Sequence, residues 1–152
     1  MDLNEYRKTL ALSVDKEVEA YEFYKQAGEK ATDPMLKKLF KEFSEEERKH
    51  MQLIQAFLAD ESLPFSVEAT TDFKISETVE RPKMSVEMKF VDAIALAMKN
   101  EEDAMNTYKA IADAASDPDQ KKMFENLANM ETGHKARLEE IFSNAAFAEA
   151  WD

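Results

Sequence analysis

The sequence predicts an all-α chain: an antiparallel four-helix bundle with one long crossover between helices 2 and 3. Three observations carry this. Gly (2) and Pro (4) are scarce among 152 residues, while Leu, Ile, Met, Phe and Ala are plentiful, a composition suited to long helices with few turns. Apolar residues recur at alternating steps of three and four, the spacing of a bundle seam. The two halves of the chain also repeat one another at a constant offset of 84 residues.

The first helix is predicted over residues 3–31, with Leu3, Tyr6, Leu10, Ser13, Glu17, Ala20, Tyr24, Ala27 and Ala31 on one stripe. Thr32-Asp33-Pro34 ends it and starts the next: Asp33 can cap, and Pro34 fits the first helical position, where its missing N–H costs nothing. So short a connection makes a helical hairpin. The second helix, about 34–59, carries Leu36, Leu39, Phe40, Phe43, Glu47, His50, Ile54 and Phe57 on its stripe.

Residues 61–84 break the periodicity with Pro64, Pro82 and many Ser and Thr, and with the partial alternation Phe73-Lys74-Ile75-Ser76. They read as the crossover, with a short extended piece. A helix of 25–28 residues is ~40 Å long, and about 12 extended residues cover that distance, so the segment is long enough. The third helix is predicted from about Ser85, a capping residue with Glu87 in the first turn, to Ala115; its stripe includes Val91, Ile94, Glu101, Ala104, Tyr108 and Ile111. Ser116-Asp117-Pro118 repeats the earlier turn. The fourth helix, about 118–143, carries Met123, Phe124, Leu127, Glu131, His134, Leu138 and Ile141, and an Ala-rich tail follows over 144–152. The predicted organisation is one bundle over 1–143, its repeats at about 5–59 and 87–143.

Polar residues on the apolar stripes locate the chemistry. Glu47 and His50 share a helix face, as do Glu131 and His134, and these are the chain's two histidines. The offset also maps Glu17 to Glu101, Ala20 to Ala104 and Tyr24 to Tyr108. Buried carboxylates are costly unless compensated. Glu17 and His50 lie 16 and 17 residues either side of Asp33, and the same counts hold about Asp117, so hairpin pairing brings each set level. Four glutamates supply −4 and two divalent cations +4, which balances. Oxygen-rich ligation with one nitrogen per metal suits iron or manganese better than structural zinc. Glu17 and Glu101 are expected as terminal ligands, Glu47 and Glu131 as bridges, and His50 and His134 as caps of one metal each. Tyr24 and Tyr108, two turns further on, would either orient a ligand carboxylate or be core tyrosines whose hydroxyls are satisfied elsewhere. Gly133, between two ligands, costs about 1 kcal/mol against Ala; close helix approach would account for it.

The totals exclude other chemistry. Net charge is −12, from 32 acidic and 20 basic residues, which disfavours nucleic acid and anionic membrane as partners. Without cysteine there are no disulfides, thiol nucleophiles or Cys-ligated metals. The N-terminus lacks a basic region followed by an apolar run, so no signal peptide is expected; no apolar run reaches ~20 residues, and cytoplasmic is the expected location.

At these residues the chain resembles the ferritin-like superfamily and, within it, the rubrerythrins, over about residues 5–143. Glu17-x6-Tyr24 and Glu101-x6-Tyr108, each followed by Glu-x-x-His, carry the likeness. The bundle pattern is one Glu from each of two helices plus Glu-x-x-His from each of the others. The resemblance implies two iron ions and a diiron oxidoreductase that reduces hydrogen peroxide or dioxygen. Ala104 stands where rubrerythrins carry a further ligand, leaving six ligands as in bacterioferritin. The rubredoxin-like cysteine domain is missing, which implies an external, rubredoxin-like electron donor. A homodimer is expected in preference to a cage. The alternatives are a ferroxidase or iron-handling role, manganese chemistry, and a bundle that metal merely stabilises.

Overall fold

A computed structural model describes residues 1–83 and 89–151, the last five of these by backbone only. It contains four long helices: α1 (Leu3–Lys30), α2 (Pro34–Ala59), α3 (Phe90–Ala114) and α4 (Pro118–Trp151), with a single 3-10 turn at Ser76–Thr78 and no strand among the described residues. The chain divides into two compact units, Met1–Phe65 and Ser66–Asp152.

In the first unit, α1 and α2 pack as an antiparallel hairpin. Asp2 caps α1 in a reciprocal capping box: the Glu5 N–H donates to its Oδ1 at 2.8 Å, and the Asp2 N–H donates to the Glu5 carboxylate. Each such cap contributes roughly 1 kcal/mol. The predicted turn forms as read, with Asp33 Oδ1 accepting from the N–H groups of Met35 and Leu36. Along the predicted seam Tyr6, Leu10, Ser13, Glu17, Tyr24, Leu36, Phe40, Phe43, Glu47 and Ile54 are buried. Leu3, at its end, is exposed. Tyr24 lies in an aromatic cluster, 5.3 Å from the Phe43 ring and 5.7 Å from that of Phe40. Gly28 sits where α1 meets α2: a Cβ there would lie 3.4 Å from Phe40 Cβ and 3.5 Å from the Lys37 carbonyl. The equivalent residue of the second hairpin is the buried Ala112.

The second unit holds the hairpin of α3 and α4. Asp117 repeats the cap, accepting from Asp119 and Gln120. The proposed cap Ser85 and first-turn Glu87 lie outside the described residues; α3 begins at Phe90 with Lys89 in the N-cap position. Helix α4 runs past the predicted end at 143 to Trp151 as one piece, because 144–151 holds Ala, Glu, Phe and Trp with no Gly or Pro to stop it.

The segment from 66 to 83 is laid along this hairpin as a strap. The expected extended piece at Phe73–Ser76 is not a strand: Lys74 takes a positive φ of 55°, and the chain closes into the 3-10 turn. Gly133 is likewise not a point of close helix approach. A Cβ added there would meet, among the described residues, only Thr70 Oγ1 of the strap, at an ordinary 3.9 Å. Gly133→Ala therefore gains helix propensity without a clash and raises stability by about 1 kcal/mol, read as a shifted urea midpoint with an unchanged slope.

Candidate metal centre

Each hairpin presents the same three donor residues on its core face. In the first, Glu17 and Glu47 are buried and His50 is half-buried. The i,i+3 spacing on α2 sets His50 Nδ1 4.0 Å from Glu47 Oε2. Glu17 Oε2 is buried with no hydrogen-bond partner among the described residues. Such an atom costs on the order of 1–3 kcal/mol unless something compensates it, and a cation would.

In the second hairpin Glu101, Glu131 and His134 are all buried. Each offers one ligand atom, and these atoms lie within 4.8 Å of one another. His134 Nδ1 is 3.6 Å from Glu101 Oε1, across the two helices. Two carboxylates and an imidazole at that separation suit an oxygen-preferring divalent metal with one nitrogen ligand. The structure thus brings together the predicted trio of the second hairpin. In the first it pairs Glu47 with His50, while Glu17, among the described residues, joins no such three-residue cluster with them. Tyr24 and Tyr108 are both buried within their hairpins.

Beside the second trio lies a charged network absent from the sequence reading. Lys135 follows His134 and its side chain is 0% exposed. Its ammonium donates to Asp72 at 2.5 Å, Glu77 at 2.8 Å and Glu139 at 2.9 Å, one carboxylate for each N–H. These three carboxylates also approach one another closely enough to suggest a second metal site, but the lysine already supplies the cation. Glu139 Oε2 further accepts from the N–H groups of Ile75 (2.6 Å) and Ser76 (2.9 Å). Glu102, adjacent to Glu101, turns away from the trio: it accepts from Ser76 Oγ at 2.6 Å and from Lys99 Nζ at 2.9 Å. The signal in the sequence was the Lys135–Glu139 pair at i,i+4; a lysine on a helix ordinarily reads as solvated.

Burial alone would raise the Asp72 carboxyl. The hydrogen bonds from Lys135 and the Lys74 backbone N–H, with the charges of Lys135 and Lys109, outweigh it and hold the group below its usual 3.8. For Lys135, burial works against the charged form, but its three carboxylate partners prevail and hold it above 10.5. The signs differ. The depressed Asp72 adds stability above about pH 4 that is lost as pH falls through its folded value, whereas the raised Lys135 adds stability that is full below about pH 10. The contribution of the strap is therefore flat near neutrality and fails in acid. Expressed as a denaturation midpoint, the difference between the protein and Asp72→Asn should be steady from pH 6 to 8 and shrink as pH falls below about 4.

The chain matches the rubrerythrin family over residues 8–142. It is also similar in structure to a hypothetical protein from Pyrococcus furiosus, with a TM-score of 0.60 and 24% identity over 93% of this chain and 92% of that one; at that identity the likeness speaks for the fold. No curated protein matches it significantly. No helix among the described residues is long and apolar enough to cross a membrane.

Proposed function

The chain belongs to the rubrerythrin family and has the ferritin-like helical fold, and from that premise we propose that it is a dinuclear non-haem iron oxidoreductase reducing hydrogen peroxide or dioxygen. The observation that carries the reading is the clustering of the Glu101, Glu131 and His134 donor atoms within 4.8 Å. The same donor set recurs in the first hairpin as Glu17, Glu47 and His50. Together the six side chains would hold two iron ions, four carboxylates against two divalent charges.

When bound, such a pair supplies two electrons to an oxidant at one place. The protein's own groups do the rest. Glu47 and Glu131 would serve as bridging ligands to such a pair, and Glu17 and Glu101 as terminal ligands. His50 and His134 each supply a neutral nitrogen, which leaves the charge balance untouched. The burial of the carboxylates keeps bulk water from competing for the positions. Tyr24 and Tyr108 are proposed to orient ligand carboxylates through their hydroxyls. Reducing equivalents are proposed to come from a donor such as a rubredoxin-like protein, and the acting species is proposed to be a homodimer in the cytoplasm.

The test is stoichiometric. Ferrous protein prepared without oxygen and given one equivalent of peroxide per iron pair should oxidise rapidly, keep its iron, and return to the ferrous state with a chemical reductant over many cycles. Oxidation with loss of iron into solution would favour an iron-handling role, and iron that binds but does not oxidise would leave a structural one.

A further inference from the structure

The two halves repeat the ligands but not what surrounds them. At the 84-residue offset, Lys99, Glu102, Lys135 and Glu139 correspond to Asp15, Val18, Met51 and Gln55, none of which could rebuild the network. Asn126 and Asn129 correspond to Glu42 and Glu45. These unrepeated residues are the anchors of the strap. The Val67 N–H donates to Asn126 Oδ1 at 3.1 Å, and Asn129 Nδ2 donates to the Val67 carbonyl at 3.0 Å. Further along, Lys99 Nζ donates to the Ser76 carbonyl at 2.8 Å, Ser76 Oγ donates to Glu102, and Glu139 receives the Ile75 and Ser76 N–H groups. One turn of 3-10 helix therefore cross-links α3 to α4, with its anchors Glu102 and Lys135 adjacent in sequence to the ligands Glu101 and His134. The anchors on α4 bracket the ligand turn from both sides.

Ordering ligands before binding removes a cost that binding must otherwise meet. The strapped hairpin holds its three donors clustered and His134 only 8% exposed. In the other hairpin His50 is 19% exposed, and Glu17 does not cluster with Glu47 and His50 among the described residues. Resting on the dimetal reading above, we propose that the two metal positions are inequivalent: Glu101, Glu131 and His134 form a preorganised position that takes the first divalent cation, and Glu17, Glu47 and His50 close around the second. Lys135 is the positioning residue of this arrangement; it touches no metal and acts by fixing the strap to α4.

Cobalt(II) titration of the metal-free full chain, followed by visible absorption and calorimetry, tests this directly. Two binding steps are expected, at least ~10-fold apart in affinity, as supporting interactions commonly contribute 10–100-fold. His134→Ala should abolish the tight step and His50→Ala the weak one. Lys135→Met should weaken the tight step ~10–100-fold and spare the weak one. Ser76→Ala, which leaves Lys99 to pair with Glu102, should act in the same direction by a smaller factor, and serves if Lys135→Met does not fold. Two equal steps in the unmodified protein, or loss of the tight step in His50→Ala, would overturn the inference while leaving the dimetal reading intact. Folded Ser76→Ala and Lys135→Met with unchanged affinities would overturn the role of the strap. Failure of the unmodified protein to bind cobalt at all would remove the dimetal reading, and this inference with it.

Discussion

Replacing Lys135 by methionine, the residue at the equivalent position of the first hairpin, is expected to lower the unfolding free energy by about 3–5 kcal/mol. The magnitude follows from what is left behind. The side chain is 0% exposed and its ammonium is shared among Asp72, Glu77 and Glu139. Methionine fills much of the volume but leaves three carboxylates close together with their common cation removed. An exposed ion pair such as Lys16–Glu19, at 3.4 Å on the surface of α1, contributes at most ~1 kcal/mol, so Lys16→Met serves as the control. Urea denaturation at pH 7 should show a large fall in midpoint for Lys135→Met and almost none for Lys16→Met. Adding Asp72→Asn to Lys135→Met should recover part of the loss, since it removes one of the stranded charges; double-mutant analysis then isolates the coupling.

Metal loading is the second large effect. Buried carboxylates destabilise a core unless a positive charge compensates them, and Glu17, Glu47, Glu101 and Glu131 are all buried. A ligand present at 1,000 times its Kd stabilises the folded state by about 4 kcal/mol per site. For a chain of this length that is a rise in Tm of roughly 10 °C. Anaerobic scans with ferrous iron and with a chelator should differ by at least this much, and Glu101→Ala, which removes a ligand of one position, should lose that position's share of the difference. Coincident scans would mean that the buried carboxylates serve no cation.

Much of the architecture was legible because it rests on local rules. The three-and-four spacing set the buried faces, and Asp33-Pro34 and Asp117-Pro118 set the turns, each aspartate capping the helix that follows. The ligand residues could be picked out because carboxylate and imidazole on an apolar stripe conflict with burial. The strap was not legible. Its path depends on contacts between residues more than sixty positions apart, such as Ile75 with Glu139, which no local pattern encodes. The alternation at Phe73–Ser76 pointed to extended chain, but the captured N–H groups of Ile75 and Ser76 and the positive φ of Lys74 make a tight turn instead. A single stripe also understated α3, where every residue from Ala93 to Met98 is buried; the strap is tied to this helix just beyond that run, at Lys99 and Glu102.

The repeat misled in one respect. Identical ligand spacing suggested two equivalent halves, whereas His134 is followed by Lys135 of the charged network and His50 by Met51. Duplicated ligands can thus sit in different surroundings, and the difference is carried by residues that the repeat does not share.

The most direct measurement is the metal content of protein purified without oxygen, by elemental analysis, alongside His50→Ala and His134→Ala. The account predicts two iron ions per chain in the unmodified protein, and a loss of about one in each variant. Substoichiometric metal that is unaffected by either substitution would contradict it.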